Sequence, residues 1–373
     1  MLEIPALDVL MLHRSISAEP STALPPSGSL TRCGIMTARC VAVIDLQDRT
    51  LMRNSSEAFA PNIPRAGDTL SLALQGGGSF GAFTWGVLDR LLEAGKSFPA
   101  VSGASAGAVN AVLLADGLAS GGPDCARAAL SAFWERLGQR SAARPLGVMH
   151  RAATASLLRM SGSSPYQFNP LGLNPLRDLL TEAVDFDRLR AAAAPRLLVA
   201  ATRVRDGGLR LFTRDEMTID VVLASSCLPM LQQAVEIDGE AYWDGGYSAN
   251  PPLRDLVLGG DAEDVLLVQI MPDEQDTLPR NVLDITRRLS EIAFAAPLQR
   301  ELRALEDMRE ACRGPRLLQS ENCRRLTRTR LHRIAATDSV PDLGSLDPLR
   351  TNAALLHKLR DHGRMAADDW LRK

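Results

Sequence analysis

The sequence predicts a three-layer α/β/α sandwich with a mostly parallel central sheet, beginning near Asp68. The short apolar run 71–75 (SLALQ) stops at three glycines, as a buried strand does before a tight turn. Residues 81–95 then carry apolar side chains at helical spacing. A second short strand at 99–102 and a very apolar helix at 106–118 repeat the pattern. This alternation of strand and helix is the unit of a parallel sheet covered by helices.

The remaining predicted elements extend the sheet and its helical layers. Asn174-Pro175 has the form of an N-cap followed by proline at the first helical position. Asp206-Gly207-Gly208 and Asp238-Gly239 are typical of turns between antiparallel strands. The predicted helices span 126–137, 174–184 and 217–225, and the predicted strands span 196–204, 209–212, 234–237, 241–243, 264–271 and 330–335. Residues 144–170 lack a steady period and are predicted to form a cap, and the rest of the chain beyond 271 is predicted to be mostly helical.

The distribution of apolar residues predicts two regions. Residues 1–66 form a poorly ordered N-terminal extension, because the stretch 18–30 is rich in Pro and Ser and can bury little. Residues 67–373 form one domain, with its sequence motifs between about 69 and 252 and a mostly helical C-terminal part. A chain of 373 residues is long enough for such a domain to have a well-buried core.

The composition excludes several classes of protein. Lys and Arg number 42 against 44 Asp and Glu, so no overall basic field predicts nucleic-acid binding. The six cysteines lack CxxC or Cys/His spacing, which predicts neither a disulfide framework nor a zinc site and favours a reducing compartment. The most apolar helix, 106–118, is interrupted by Asn110 and Asp116 and is too short to span a bilayer. Because the N-terminus also lacks the charge pattern of a secretory signal, we expect a cytoplasmic protein with peripheral contact to a membrane, and no metal or other cofactor.

The first motif that could carry chemistry is the loop 76–81, GGGSFG, between the first predicted strand and helix. Its glycines allow backbone N–H groups to converge on an anion at a helix N-terminus. The loop also reads as GxGxxG, which would fit a dinucleotide site if the second strand ended in Asp or Glu. Here the second strand ends in Gly103-Ala104-Ser105-Ala106-Gly107, and this favours a different use of the glycine loop.

The second motif, GASAG, is a GxSxG sequence between a short strand and an apolar helix. That is the context of a nucleophile elbow, in which the serine occupies a strained turn and the small flanking residues give it room. The helix N-terminus behind the serine also stabilises developing negative charge. The sequence therefore predicts Ser105 as a nucleophile.

A nucleophilic serine needs a base, and two arrangements are open. The five histidines are all distant from both motifs in sequence: His13, His150, His332, His357 and His362. Either an Asp pairs directly with Ser105, or a triad runs from Ser105 through an acid to His332. Asp244 is the stronger candidate acid, because Asp244-Gly245-Gly246 follows an apolar strand and precedes YSANPP, whereas Asp206 lies between two strands and is predicted to form a turn.

The glycine loop, the GASAG turn and the distal DGG followed by YSANPP together resemble the patatin-like phospholipase family over about residues 69–252, half of the chain. Each motif alone is weak evidence, whereas three in this order and spacing form a specific match. The stretches LQGGGSFGAFTWGVLDRLLEAG and ASSCLPMLQQAVEIDGEAYWDGGYSANPPL are especially similar to bacterial members. The resemblance implies that residues 67–373 form a patatin-like acyl hydrolase domain.

The resemblance also implies a mechanism and a set of site residues. The family hydrolyses carboxylic esters of lipids through a Ser–Asp dyad and an acyl-enzyme, which makes Ser105 the nucleophile and Asp244 the general base. Backbone amides around Gly77 and Gly78 are the implied oxyanion donors. The full set of expected loop and motif residues is Gly76, Gly77, Gly78, Ser79 and Gly81 in the oxyanion loop, with Gly103, Gly107, Gly245 and Gly246 in the other two motifs. The implied partner is a lipid or another acyl ester, without nucleic acid or a cofactor.

The chain departs from the family pattern at Phe80, where many members carry Arg or Lys. A cationic contact to phosphate would be lost, so the sequence leaves the head-group preference open. Three other functions also stay open at this point: a non-catalytic lipid-binding protein, a nucleotide-binding protein that uses the glycine loop, and an α/β-hydrolase that uses His332. Trp85 and Trp134 are interpreted as core residues rather than as contacts to an acyl chain.

Overall fold

The computed structural model describes residues 67–143, 163–193, 195–275, 278–313 and 320–373. The chain divides into two units, Met1–Met52 and Arg53–Lys373, and every described residue belongs to the second. The expected N-terminal extension, 1–66, lies outside the described residues, and so does most of the expected cap, 144–162.

A single sheet organises the described residues. Its strands are β1 (Leu70–Leu74), β2 (Ala100–Gly103), β3 (Arg196–Arg203), β4 (Leu209–Thr213), β5 (Val235–Ile237), β6 (Glu240–Asp244), β7 (Asp264–Gln269) and β8 (Arg330–Ala335). They run in the order β5-β6-β3-β2-β1-β7-β8, and β4 also pairs with β3. The pairs from β3 to β8 along this order are parallel, and the pairs that involve β4, β5 and β6 are antiparallel. The prediction of a mostly parallel central sheet is confirmed.

Helices cover both faces of the sheet. They are α1 (Gly81–Glu93), α2 (Ala106–Gly121), α3 (Pro123–Ala143), α4 (Pro165–Phe168), α5 (Pro175–Ala183), α6 (Phe186–Ala191), α7 (Ile219–Ser225), α8 (Leu253–Gly259), α9 (Val282–Ala311), α10 (Glu321–Arg328) and α11 (Ala353–Arg372). Successive side chains of a strand point to opposite faces, so Leu72 joins the core beneath α1, α2 and α11 while Ala73 joins the one beneath α8, α9 and α10. The three-layer prediction is therefore also confirmed.

The predicted elements differ from the observed ones mainly in length and in three short helices that were not predicted, α4, α6 and α8. Helix α3 begins at Pro123 and continues to Ala143, beyond the predicted range of 126–137. Helix α6 was not predicted. The Asp185 side chain accepts hydrogen bonds from the Asp187 and Arg188 amides at its start, and Leu189 is buried beneath it. The signal for α6 was thus an N-cap followed by a single apolar anchor, which is too short a pattern for periodicity to reveal.

The prediction of no disulfide is wrong for one pair of cysteines. Cys312, just after α9, and Cys323, in α10, form a disulfide with their Cα atoms 5.3 Å apart. Their separation of 11 residues matches no motif, and the pairing arises because α9 and α10 pack on the same face of the sheet. The expectation of a reducing compartment, which rested on the cysteine pattern, loses that support.

Helix α2 carries two polar residues, Asn110 and Asp116, inside the protein. Asn110 is fully buried and bonds to the carbonyl of Gly81 and the indole of Trp134, while Asp116 is paired with Arg188. These partners make burial of the polar groups tolerable. None of the helices in the described ranges is long and apolar enough to cross a membrane.

Candidate active site

Ser105 occupies a strained turn between β2 and α2. Its backbone has φ 53° and ψ −123°, a conformation that costs a non-glycine residue energy and that clusters at functional sites. A side chain at Gly107 would place its Cβ 2.0 Å from the Leu74 carbonyl oxygen, and one at Gly103 would meet the backbone of Gly107 at 2.6 Å. The glycines of GASAG are therefore required by close backbone packing, and the strand–turn–helix context predicted for this motif is observed.

The backbone of Ser105 is held by a segment far away in sequence. Its N–H donates to both the carbonyl oxygen and the Oγ of Ser225, at 3.1 and 3.0 Å. Ser225 is the last residue of α7, so the end of that helix fixes the turn. The Ser105 side chain is left next to the sheet edge with only 8% of the residue exposed.

Asp244 is brought to the same edge as the last residue of β6. It is fully buried, its Oδ1 accepts a hydrogen bond from the Gly246 amide at 2.8 Å, and its backbone N–H donates to the Cys227 carbonyl. A Cβ at Gly245 would lie 2.1 Å from the Ala200 carbonyl oxygen, which explains why glycine follows the carboxylate. The Thr202 hydroxyl donates to the Asp244 carbonyl and fixes β6 against β3.

Burial has the largest effect on the pKa of the Asp244 carboxyl. Desolvation raises its pKa to about 7, while the hydrogen bond from the Gly246 amide and the interaction with the Ser105 side chain act in the opposite direction. The second oxygen, Oδ2, is buried, and no donor in the described part of the chain lies within hydrogen-bonding geometry of it. Ser105 is thus near enough to influence the carboxyl without a tight hydrogen bond, and such contacts often shorten only when substrate binds.

Cys227, the other potential nucleophile near this carboxyl, is unsuited to the role. Burial and the negative charge of Asp244 raise the pKa of the Cys227 thiol to about 12. Its Sγ donates to the Gln233 carbonyl. A thiol that stays protonated is a poor nucleophile.

The glycine loop packs directly on the serine turn. A Cβ at Gly76 would lie 2.6 Å from the Ala104 carbonyl oxygen and 2.8 Å from the Cβ of Ser105. Three of the expected oxyanion donors already donate to acceptors within the protein. The Gly76 amide donates to the Asn250 side chain, the Ser79 amide to the Pro348 carbonyl, and the Gly81 amide to the carbonyls of Gly78 and Ser79. The amides of Gly77 and Gly78 donate to no acceptor among the described residues. Of the five expected donors, the amides of Gly77 and Gly78 are therefore the two that could bind an oxyanion.

Asn250 is a residue of this site that the sequence analysis did not single out. It is fully buried, and its Oδ1 accepts from the Gly76 amide at 2.7 Å while its Nδ2 donates to the Phe294 carbonyl at 3.0 Å. One side chain therefore joins the glycine loop to α9 and to the segment that follows DGG. The only signal in the sequence was an Asn before two prolines, which was interpreted as part of a loop.

His332 does not meet Ser105. It lies in β8, where its Nε2 is 2.8 Å from Oδ1 of Asp264, and Asp264 also receives two hydrogen bonds from Arg330. Burial raises the pKa of Asp264, but the bonds from Arg330 and His332 outweigh it and lower that pKa to about 2. Asp264 begins β7 and Ser105 follows the end of β2, and β8 is three strand spacings from β2, about 14 Å. The structure therefore gives no support to the arrangement in which His332 serves as the base.

The remaining residues considered from the sequence lie away from the site. Phe80, Trp85 and Trp134 are at most 2% exposed and belong to the core, as predicted for the two tryptophans. Because the Phe80 side chain points into the core, it leaves the amides of the glycine loop undisturbed. Asp206 is exposed in the turn between β3 and β4, where it accepts from the Gly208 amide, and the prediction of a turn there is correct.

Comparison with known proteins agrees with the motifs. The family model described as patatin-like phospholipase matches residues 72–257. A solved structure that the chain resembles is VipD from Legionella pneumophila, with 18% sequence identity and a TM-score of 0.38 over 83% of this chain and 67% of that one, and at this TM-score the likeness carries no argument about the site. No curated protein matches the chain. Residues 72–257, which span both the GASAG turn and the DGG turn, form a patatin-like phospholipase domain, and the chain belongs to that family.

Proposed function

We propose that this protein is a serine acyl hydrolase of the phospholipase A type, which cleaves carboxylic esters of lipids through a Ser105–Asp244 dyad and an acyl-enzyme. The family match supports lipid acyl hydrolysis in general. The observation that carries the finer assignment is the burial of the Asp244 carboxyl beside Ser105, with a pKa of about 7. An ordinary aspartate, with a pKa near ~3.9, would be a weak base at neutral pH.

In the acylation step, the Ser105 oxygen attacks the ester carbonyl carbon while Asp244 accepts the hydroxyl proton. The unpartnered Oδ2 is the oxygen that supports this role, because it is free to receive a proton. The negative charge develops on the former carbonyl oxygen, and the amides of Gly77 and Gly78 are positioned on the loop that packs against Ser105. Each well-placed donor of this kind is worth about 2.7–4 kcal/mol in other hydrolases.

The tetrahedral intermediate collapses when the carbon–oxygen bond to the leaving alcohol breaks and Asp244 returns the proton to that oxygen. A water molecule then repeats the sequence on the acyl-enzyme, with Asp244 again as base and Ser105 as the leaving group. The N-terminus of α2 lies directly behind Ser105, and its dipole favours the negative charge of both intermediates.

The test is covalent labelling of Ser105 by a fluorophosphonate, in which the serine oxygen bonds to phosphorus and fluoride leaves. We expect the label on the peptide that contains Ser105, and no label on the Ser105→Ala protein. The labelling rate should rise with pH and level off above about 7, because Asp244 acts as a base only when it is ionised. Hydrolysis of short-chain p-nitrophenyl esters and of mixed phospholipid micelles should follow the same pH dependence.

Two results would contradict the proposal. Labelling of another residue at the same rate would remove Ser105 from the mechanism. A folded protein that binds lipid but neither reacts with the fluorophosphonate nor releases product over hours would be a non-catalytic member of the fold.

Replacement of Asn250 tests whether this side chain positions the oxyanion loop. In the Asn250→Leu protein, the Gly76 amide loses its acceptor, so we expect the loop to shift and kcat for a short-chain ester to fall by roughly 10–100-fold. KM should change much less, because a misplaced oxyanion donor affects the transition state more than the bound ester.

The matched control is Asn110→Leu, since Asn110 is equally buried and also bonds to the glycine-loop segment, but through the Gly81 carbonyl rather than through an amide near Ser105. Both variants should lose stability. If kcat falls equally in both, or if Asn250→Leu loses only stability, Asn250 has a structural role alone.

A further inference from the structure

In the first half of α9, apolar side chains face solvent while a charged pair is largely buried. Four apolar side chains of α9 at helical spacing face solvent, as does Leu278 just before the helix. We call these five the outer stripe: Leu278, Val282, Ile285, Leu289 and Ile292, which are between 42% and 78% exposed. Meanwhile Arg288 and Glu291, which pair at 3.1 Å, keep only 20% and 12% of their side chains exposed. A surface helix normally presents the opposite arrangement.

The second half of the same helix has the usual arrangement, with its apolar side chains buried, so the exposed apolar side chains are confined to the first half. Phe294, Leu298, Leu302 and Leu305 are buried in the core and lie on the side of α9 that is roughly opposite the outer stripe. The outer stripe is therefore not a continuation of the core face. Exposed apolar area of this kind marks an interaction surface.

Helix α9 contacts the candidate active site just beyond the outer stripe. Two residues beyond Ile292, the Phe294 ring contacts the Tyr247 ring at 4.8 Å between centroids, and the Phe294 carbonyl accepts from Asn250. Tyr247 itself follows the DGG turn directly and is 36% exposed. Helix α9, which carries most of the outer stripe on its solvent side, therefore contacts the segment that follows Asp244 through its buried side.

Two further exposed apolar side chains stand on other loops of the same edge. Leu349 follows Pro348, whose carbonyl binds the Ser79 amide of the glycine loop. Met230 is 52% exposed and lies three residues after Cys227, whose carbonyl binds the Asp244 amide. Tyr247, Leu349 and Met230 therefore stand on three separate segments, each of which also includes or contacts a part of the candidate site.

We propose that the outer stripe, with Tyr247, Leu349 and Met230, docks on the surface of a lipid bilayer that contains anionic lipid and holds the candidate site against it. The purpose of this docking rests on the proposed function, whereas the binding itself requires no catalysis. The apolar side chains would enter the boundary between head groups and acyl chains, as those of interfacial helices do.

Charge favours a bilayer over a second protein chain. Arg280 and Arg350 are both exposed, stand next to members of this surface, and form no ion pair with any residue that the structure describes. Unpaired arginines beside an apolar stripe suit the phosphates of anionic lipid.

Vesicle flotation tests this docking. The protein would carry Ser105→Ala so that it does not degrade the lipid, and the vesicles would contain phosphatidylcholine and phosphatidylglycerol in equal parts. We expect the protein to float with these vesicles and Leu289→Asn to lower the partition coefficient at least tenfold. Met365→Asn is the matched control, because Met365 is 62% exposed against 63% for Leu289 but lies on α11, outside the surface, and it should leave partitioning unchanged.

Three results would overturn the docking proposal. The parent protein could remain unbound, Leu289→Asn could bind as well as the parent, or the parent could be a dimer in solution that Leu289→Asn separates, which would assign the outer stripe to a second copy. Hydrolysis of a soluble short-chain ester by protein with an intact Ser105 tests the proposed function separately. If the ester is hydrolysed but vesicles are not bound, only the docking proposal fails.

Discussion

We expect the Asp244→Asn protein to lose ester hydrolysis by roughly 10²–10⁴-fold, the usual contribution of a general base, and to be more stable than the parent above pH 7. An amide cannot accept the Ser105 proton, so activity falls at every pH. The same change removes the need to bury a negative charge. The two effects have opposite signs, and together they separate a catalytic carboxylate from a structural one.

The sign of the stability effect follows from the raised pKa. Between the unfolded pKa, 3.8, and the folded pKa, about 7, the folded protein keeps a proton on Asp244 that the unfolded chain has lost. The free energy of unfolding therefore decreases as pH rises through this range, by about 1.4 kcal/mol for each pKa unit, and by a few kcal/mol in total. The Asp244→Asn protein has no carboxyl at this position, so its free energy of unfolding does not decrease for this reason as pH rises. Its advantage in Tm should begin above about pH 4, grow until about pH 7 and stay constant above it.

Asp206→Asn is the matched control, because Asp206 also begins an Asp-Gly-Gly turn but is exposed. It should leave activity unchanged and change Tm little at any pH. Thermal unfolding from pH 5 to pH 8 and initial rates on a short-chain ester make the comparison. An Asp244→Asn protein that keeps full activity would exclude Asp244 as the base, and a Tm difference that does not vary with pH would exclude charge burial as its cause.

The second large effect is expected at Gly107, where even one methyl group has no space. In the Gly107→Ala protein the new Cβ would lie 2.0 Å from the Leu74 carbonyl oxygen, and neither the end of β1 nor the start of α2 is a flexible side chain that can move aside. We expect the free energy of unfolding to fall by about 3 kcal/mol. Because Ser105 begins the same turn, activity should fall by at least about 10²-fold even where the protein remains folded.

Gly344→Ala provides the control, since a Cβ there meets nothing within 4 Å. It should change stability by no more than about 0.5 kcal/mol and leave activity intact. Denaturant unfolding at fixed pH measures both variants. If Gly107→Ala matched Gly344→Ala in stability and rate, the close packing of the elbow on β1 would not limit the function of Ser105.

Local sequence patterns were sufficient for most of the fold. The strand ends at the glycine loop and at GASAG, the N-cap at Asn174 and the turn at Asp238-Gly239 all depend on interactions within a few residues, and each was predicted correctly. Helix α6 was missed because its periodic signal spans only six residues. The Cys312–Cys323 disulfide was missed because it depends on the packing of two helices rather than on spacing.

For the candidate site, local sequence was enough to predict which residues would carry the chemistry: a serine in an elbow, an aspartate at a strand end and a loop of glycines between strand and helix. These are demands of backbone geometry, which local sequence encodes. Three features depended on tertiary packing: which loop amides lack an acceptor among the described residues, the bonds by which Asn250 joins the glycine loop to α9, and the position of His332 beside Asp264, away from Ser105. The pKa of Asp244 and the exposure of the outer stripe also belong to the tertiary structure, because burial is a property of the whole packed domain and no stretch of sequence contains it.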